Sequence, residues 1–509
     1  MATAAQPSTE YGTIETNVAA RLDRLPWSRW HWMVVIGLGT VWILDGLEVT
    51  LVGNVGSRLT EPGAGIHIAS QDIGGLAATL YVIGACIGAL FFGRLTDLWG
   101  RKKLFLITLG VYLTATVLTA LSPNPTWFFV CRLLTGFGIG GEYAAINSAI
   151  DELIPSRVRG RVDIVINGSF WLGAVAGSLL SVLMLDESIF AGNVGWRLSF
   201  ALGAILGTVI LLVRRHVPES PRWLFIHGRE DEANEIVDDI ERQVEASTGK
   251  PLDPVDSTIT IHQRRSIGFG EIARALVRSY PKRTVLGFSL FIGQAFLYNA
   301  ITFGYATILI KFFDVPSGHT GYYFAVIALG NFVGPLVLGP LFDTLGRRVM
   351  IAGTYLLSGV LLLGTAFLFK QGVLSAAGMT ACWSVVLFFA STGASSAYLT
   401  VSEIFPMETR ALAIAFFYAL GTLVGGVSGP QIFSRLVATG KTDDVAFAFV
   451  IGAVLMIVAG LVAIVFAVKA EGRSLEDIAR PLTAADEGDA SGSRSAPGGL
   501  VPPAPTTAH

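Results

Sequence analysis

The chain has 509 residues, 52% hydrophobic and only 15% charged, with 58 glycines. That is too apolar for a soluble protein of this length and points to repeated membrane spans. A net charge of −2 excludes the basic excess of a nucleic-acid binder, and three cysteines, all in apolar runs, exclude a disulfide framework.

Residues 1–28 are polar and lack the zones of a signal peptide, so they are expected to form a tail. A helix needs about 20 apolar residues to cross a hydrocarbon core. Runs of that kind fall near 30–52, 71–93, 104–121, 126–149, 162–185 and 196–213. A polar stretch, 214–283, follows. In it Ala233, Ile236, Val237, Ile240 and Val244 recur at helical spacing, which predicts an amphipathic helix. Six more apolar runs lie near 284–310, 319–341, 349–369, 378–401, 411–434 and 445–468. The expected units are therefore a tail (1–28), a six-span bundle (29–213), a loop (214–283), a second bundle (284–468) and a tail (469–509) whose far part is expected to be disordered.

Twelve spans put both termini and every second loop on one side. That side holds 29 of the 36 Lys and Arg, the other side 6, and Arg132 lies within a span. The positive-inside rule predicts that both tails and the long loop face the cytoplasm, with the protein in the inner (plasma) membrane.

Two motifs occur twice. "GRLTDLWGRKK" (93–103) returns as "GPLFDTLGRR" (339–348), and "ELIPSRVRG" (152–160) as "EIFPMETRA" (403–411), at offsets of 246 and 251 residues. Both copies of each lie on the basic side, so the halves are parallel repeats of six spans. The first motif resembles the loop signature G-x-x-x-D-R-x-G-R-R of the major facilitator superfamily, with Leu98 in the arginine place. "RLLTGFGIGGEY" (132–143), "PESPRWL" (218–224) and "SEIFPMETR" (402–410) are similar to its sugar-porter branch and that branch's metabolite-transporter relatives.

The resemblance covers about residues 30–470. It implies an all-α membrane protein of twelve transmembrane helices in two parallel six-helix repeats, working as a secondary transporter by alternating access. It also implies that the repeated loops latch the cytoplasmic ends of the halves together. The residues concerned are Gly93, Asp97, Gly100, Arg101, Glu152 and Arg159 in one half, and Asp343, Gly346, Arg347, Glu403 and Arg410 in the other. Asp97 is expected to pair with Arg101, and each exposed pair to contribute about 0–1 kcal/mol.

Charges at membrane depth are functional candidates. Asp45 and Glu48 lie three apart on one face of the first span, and the fourth carries Arg132 and Glu142. The helical rise brings Arg132 level with either acid and leaves Glu142 near the cytoplasmic edge, among the gate residues. A guanidinium that keeps its proton, beside an acid that can lose one, makes a proton switch. Gly46-Leu47-Glu48 is similar to the G-x-D of sugar/proton symporters, and Asp45-Gly46-Leu47-Glu48 to the D-G-x-D of aromatic-acid/proton symporters. We expect Glu48 as the main partner of Arg132, Asp45 as co-titrating or solute-facing, the proton as coupling ion and no cofactor or metal.

The seventh span keeps the Gln294–Asn299 spacing of sugar porters, and Asn167 and Tyr398 fall where that family has a glutamine and a tryptophan. Trp171 and Tyr298 add aromatic faces to a pocket for a small polar solute. The expectation is proton-coupled symport of a sugar, polyol or organic or aromatic acid by a monomer in the bilayer. Uniport or export, and a non-transporting nutrient sensor, are the alternatives. No nucleophile–base or metal-ligand cluster appears in the spans, so an enzyme is not expected.

Overall fold

The computed structural model describes residues 13–479, apart from 70–71, 215–218, 256–257, 263–273, 275–277, 279, 317–318, 406–409 and 474. The disorder expected of residues 480–509 lies outside the described residues. Ten helices among them are long and apolar enough to cross a membrane. Two more, Pro125–Leu153 and Gly195–Arg214, complete the twelve. Pro125–Leu153 carries Arg132, Glu142 and Glu152, which lower its hydropathy and explain why length alone identifies it.

The first half comprises Arg29–Leu59, Ala78–Trp99 (entered through a π turn, Ile73–Ala77), Arg101–Ala120, Pro125–Leu153, the pair Ser156–Gly168 and Phe170–Met184, and Gly195–Arg214. The second comprises Pro281–Phe313, Thr320–Thr344, Arg347–Lys370, Ala376–Ile404, the pair Arg410–Gly421 and Val427–Ala438 joined by a π turn (Thr422–Gly426), and Thr442–Phe466. Local chemistry sets these bounds. Asn124 caps the fourth span by accepting from the Trp127 amide at 2.9 Å, with Pro125 in the first turn. Gly100 and Gly346, at φ 90° and 96°, break the second span from the third and the eighth from the ninth. The charged knots are thus tight turns between antiparallel helices.

Packing repeats between halves. The second span lies on the fourth as the eighth lies on the tenth, and the third on the sixth as the ninth on the twelfth. Across the seam the fifth span meets the eighth and the second meets the eleventh, pairs that exchange under the repeat.

Within the first half the helices touch backbone to backbone. A Cβ at Gly84 or Gly88 would collide with the Leu133 or Phe137 carbonyl, and one at Gly136 or Gly140 with the Tyr81 or Ala85 carbonyl. Two small-xxx-small ridges interdigitate here. Gly46 and Gly173 do the same for the first and fifth spans.

Smaller elements cover the basic end. The helix Glu230–Thr248 buries Ala233, Val237, Ile240 and Val244, as its spacing predicts, with Ile236 half-buried. The short helix Val18–Asp23 docks on it through Arg21 and Arg24, which both reach Glu241. Burial works against the Glu241 charge, but those two guanidiniums outweigh it and hold the carboxyl below its ordinary range. An element not expected of an all-helical chain joins them: strand Thr13–Thr16 pairs antiparallel with Ile259–His262, so the first tail is sewn to the central loop. The second tail carries a short helix, Leu475–Ile478, whose Ile478 carbonyl accepts from Arg283 at 3.0 Å.

Candidate transport site

The fourth span presents three charges at ten-residue intervals, Arg132, Glu142 and Glu152, about 15 Å apart along the helix. Arg132 and Glu48 are both buried, with Nη2 3.4 Å from Glu48 Oε1. Thr116 donates to Glu48 Oε2 at 2.8 Å, and Arg132 Nη2 also donates to Thr119 and Thr135 at 2.9 and 3.2 Å. The guanidinium carbon sits 5.6 Å from the Phe128 ring centre and 5.1 Å from that of Phe200. Asp45 is buried one turn further in, within electrostatic reach of Tyr81, Tyr112, Tyr143 and Tyr418. Glu48 lies within ion-pair distance of Arg132. The threonines of the third span escaped the sequence reading because hydroxyls in a helix ordinarily bond their own backbone.

Glu142 is expected among the gate residues. The fourth span continues to Leu153, four residues beyond its expected end, so Glu142 is eleven residues from that end and buried. The glycines around it, Gly138 and Gly141, pack on Tyr112 and Thr108 of the third span.

That cluster joins both repeats. Arg101 pairs with Glu152 and donates to Ser148 Oγ at 2.9 Å, and Ser220 also reaches Glu152. In the second half Arg347 grips Glu403 with two hydrogen bonds of 3.0 Å and Asp343 at 2.8 Å. The halves then cross. Arg159 lies 4.0 Å from Glu403, Arg410 lies 4.0 Å from Glu152, and the Arg161 amide donates to Asp343 at 2.9 Å. Arg159 also meets Asp23 of the N-terminal helix at 3.4 Å. Gly93 is buried in the second span; the Asp97 side chain lies outside the described part. The expected Asp97–Arg101 pair therefore lies outside the described residues; Arg101 is seen paired with Glu152.

These pairs are buried rather than exposed, which changes the expected magnitude. Removing one member strands a buried charge and costs about 3–5 kcal/mol, against the 0–1 kcal/mol of a surface pair. We predict that Arg410→Ala shifts the protein toward the state open at the basic end, read as faster alkylation of a cysteine that replaces Ile164, which is buried against the eighth span. Unchanged labelling would show that the crossed pairs do not hold the closed state.

Two carboxylates missed by sequence reasoning complete this end. Glu219 accepts from the Arg101 and Lys102 amides at 2.9 and 3.2 Å, and Glu471 from the Arg347 amide at 3.3 Å. Each caps the positive N-terminus of a span from a segment that follows its half's last span. The signal lay in the 252-residue offset between them, close to that of the other repeats.

All six residues expected to meet solute, Asn167, Trp171, Gln294, Tyr298, Asn299 and Tyr398, line one central cavity of about 160 Å³. The structure adds Trp42, Tyr143 and Tyr418. Trp42 stacks on Tyr143 at 4.6 Å, Tyr418 meets Tyr143 edge-on at 4.9 Å, and Trp171 lies 5.1 Å from Tyr298. Several polar groups are occupied: Asn167 Nδ2 bonds Asn147 and Asp163, and Tyr298 donates to Asn331 at 2.8 Å. Among the described residues no acidic or basic side chain lines this cavity. Val49, Tyr81, Thr302 and Phe303 also line a second cavity of about 260 Å³ on the opposite-end side, which Glu48 and Arg132 border. Beyond it Asn54 accepts from Tyr305 at 2.6 Å and donates to Ser181 at 2.7 Å, tying three spans.

Comparison with known proteins places this arrangement. The chain is 26% identical over 467 residues to the niacin transporter NiaP of Acinetobacter baylyi, covering 91% of this chain and 99% of that one. It is 24% identical over 453 residues to the arabinose-proton symporter of Bacillus subtilis, covering 87% and 92%. Among solved structures, the proton:xylose symporter XylE bound to 6-bromo-6-deoxy-D-glucose matches with a TM-score of 0.70 at 19% identity, covering 88% of this chain and 98% of that one. The model of the family described as sugar (and other) transporter matches residues 30–482. The chain therefore belongs to that family of the major facilitator superfamily: it is a multi-pass membrane transporter of small solutes, not an enzyme.

Proposed function

We propose that the protein is a proton-coupled symporter of a small single-ring organic solute, with its basic end in the cytoplasm. The observation that carries the reading is the central cavity. It is walled by Trp42, Tyr143, Trp171, Tyr298, Tyr398 and Tyr418, free of charged side chains among the described residues, and adjoins the space bordered by Glu48 and Arg132. About 150 Å³ holds a benzene ring, so 160 Å³ suits one ring with short substituents. Stacked aromatics favour a planar ring over a saturated one. The niacin transporter among the relatives fits that chemistry. A sugar or polyol is the second reading, supported by Gln294 and Asn299 in the same wall and by the arabinose-proton relative.

In this mechanism the solute enters from the opposite end while the crossed ion pairs keep the basic end closed. Protonation of Glu48 weakens its hold on Arg132 and changes which arrangement of the halves is preferred. The test is uptake into proteoliposomes from a panel of heteroaromatic acids, aromatic acids, pentoses and polyols, with and without a pH gradient. A one-to-one symporter accumulates its solute up to about tenfold per unit of pH gradient. Equilibration without accumulation would show a uniporter, and binding without flux a sensor. Uptake confined to sugars would overturn the planar-ring reading.

A further inference from the structure

Residues 13–25 of the first tail are unused by the mechanism above, yet they dock on the residues that close the basic end. Val18, Leu22 and Leu25 recur at helical spacing, and all three are buried. Arg21 holds the helix Glu230–Thr248 through Glu241 and Asp238, and the strand pairing ties Thr13–Thr16 to the loop ahead of the seventh span. This arm then meets the first turn of the fifth span three times. Asp23 accepts from the Ser156 amide at 3.1 Å and from Arg159 Nη2 at 3.4 Å, and the Leu25 carbonyl accepts from Arg157.

Arg159 is fully buried. Among the described residues its Nε and Nη1 have no hydrogen-bond partner, while Nη2 has Asp23, and Glu403 of the other half stands 4.0 Å from Nη1. Its counterpart in the repeat is held differently. Arg410 lies 4.0 Å from Glu152 and donates to the Ser402 carbonyl of its own half at 2.6 Å. The first half takes the matching anchor from the arm. A long side chain turns about several bonds, so a pair at 4.0 Å without a hydrogen bond does not fix its direction. Asp23 fixes it, and its charge also offsets a buried cation.

We infer that Asp23 is a positioning residue of the gate: it aims Arg159 at Glu403, which makes the N-terminal arm a working part of the closure. The direction of its effect follows from burial. With the halves closed at the basic end, Arg159 is dry and needs Asp23. With that end open, water reaches the guanidinium and Asp23 adds little. The arm therefore favours the closed state. This role is independent of the solute carried and of proton coupling, since a uniporter needs the same closure.

The test is alkylation of a cysteine replacing Ile164 in the full chain, with labelling of Cys86, Cys131 and Cys382 measured in the parent and subtracted. Asp23→Asn is the informative variant, because an amide oxygen still accepts from the Ser156 amide and the charge alone is lost. Labelling is expected to rise about tenfold, the scale of one hydrogen bond between charged groups. A wild-type rate would overturn the inference. In an Arg159→Gln background the same change is expected to add nothing. A full further rise there would show Asp23 acting on the fold and not through Arg159, and would overturn it as well. Arg21→Gln, which loosens the arm at a distance from the gate, is expected to speed labelling too. Should Asp23→Asn fail to fold, read by thermal-shift midpoint, an unchanged rate in Arg21→Gln overturns the inference in its place. The KM for solute offered at the opposite end should rise with the labelling, since the fraction of protein open to it falls. A KM that stays constant beside faster labelling would count against the shift of state.

Discussion

Glu48→Gln is expected to lose gradient-driven accumulation altogether while still exchanging solute across the membrane. The amide is nearly isosteric and can still accept from Thr116, so the local packing survives. Arg132 keeps Thr119, Thr135 and the faces of Phe128 and Phe200, which together hold the guanidinium after its counter-charge is gone. What the variant lacks is a proton to give up. Under a one-unit pH gradient the wild type should approach tenfold accumulation at one proton per solute, and the variant should stop at equal concentrations. Counterflow of labelled solute, which needs only the rocking of loaded protein, should persist. Normal accumulation by the variant would remove Glu48 from the coupling step.

The second large effect concerns folding. Gly140→Val, or Gly136→Val, is expected to abolish recovery of folded protein, read by size-exclusion profile and thermal-shift midpoint. At both positions the side chain would occupy the site of a backbone carbonyl of the second span, and backbone cannot rotate aside as a side chain can. The helices would have to part, at about 3 kcal/mol or more. The parting would also move Arg132, Glu142 and Glu152, which ride on the same rod. Gly110 and Gly353 have nothing within 4 Å of a built Cβ and serve as controls. Alanine there should be neutral or stabilising by up to about 1 kcal/mol, because it is the better helix former. Equal tolerance at all four sites would refute the close-contact argument.

The fold could be read from the sequence because it rests on patterns with a fixed period: twenty-residue apolar runs, a charge bias by side, and motifs repeated near 250 residues. The solute wall emerged in part through the resemblance, since Gln294 and Asn299 keep the sugar-porter spacing and both line the cavity. Pairings were harder. Glu152 and Glu403 each stand near more than one arginine of similar depth, and only the packing of the fifth span on the eighth makes the halves cross. The end of the fourth span was set four residues early because a glycine-rich helix ends without a sharp change in composition. Glu219 and Glu471 were missed because a capping carboxylate looks like any other until the helix start it serves is beside it.

Glu471 carries a last practical consequence. It grips the start of the ninth span from beyond the end of the twelfth, and the short helix after it hangs on Arg283. Residues 469–479 therefore belong to the working bundle and are not a trailing appendage. An affinity tag joined after residue 480 leaves this clasp whole, whereas a chain ended at 468 would lose the carboxylate that caps the ninth span.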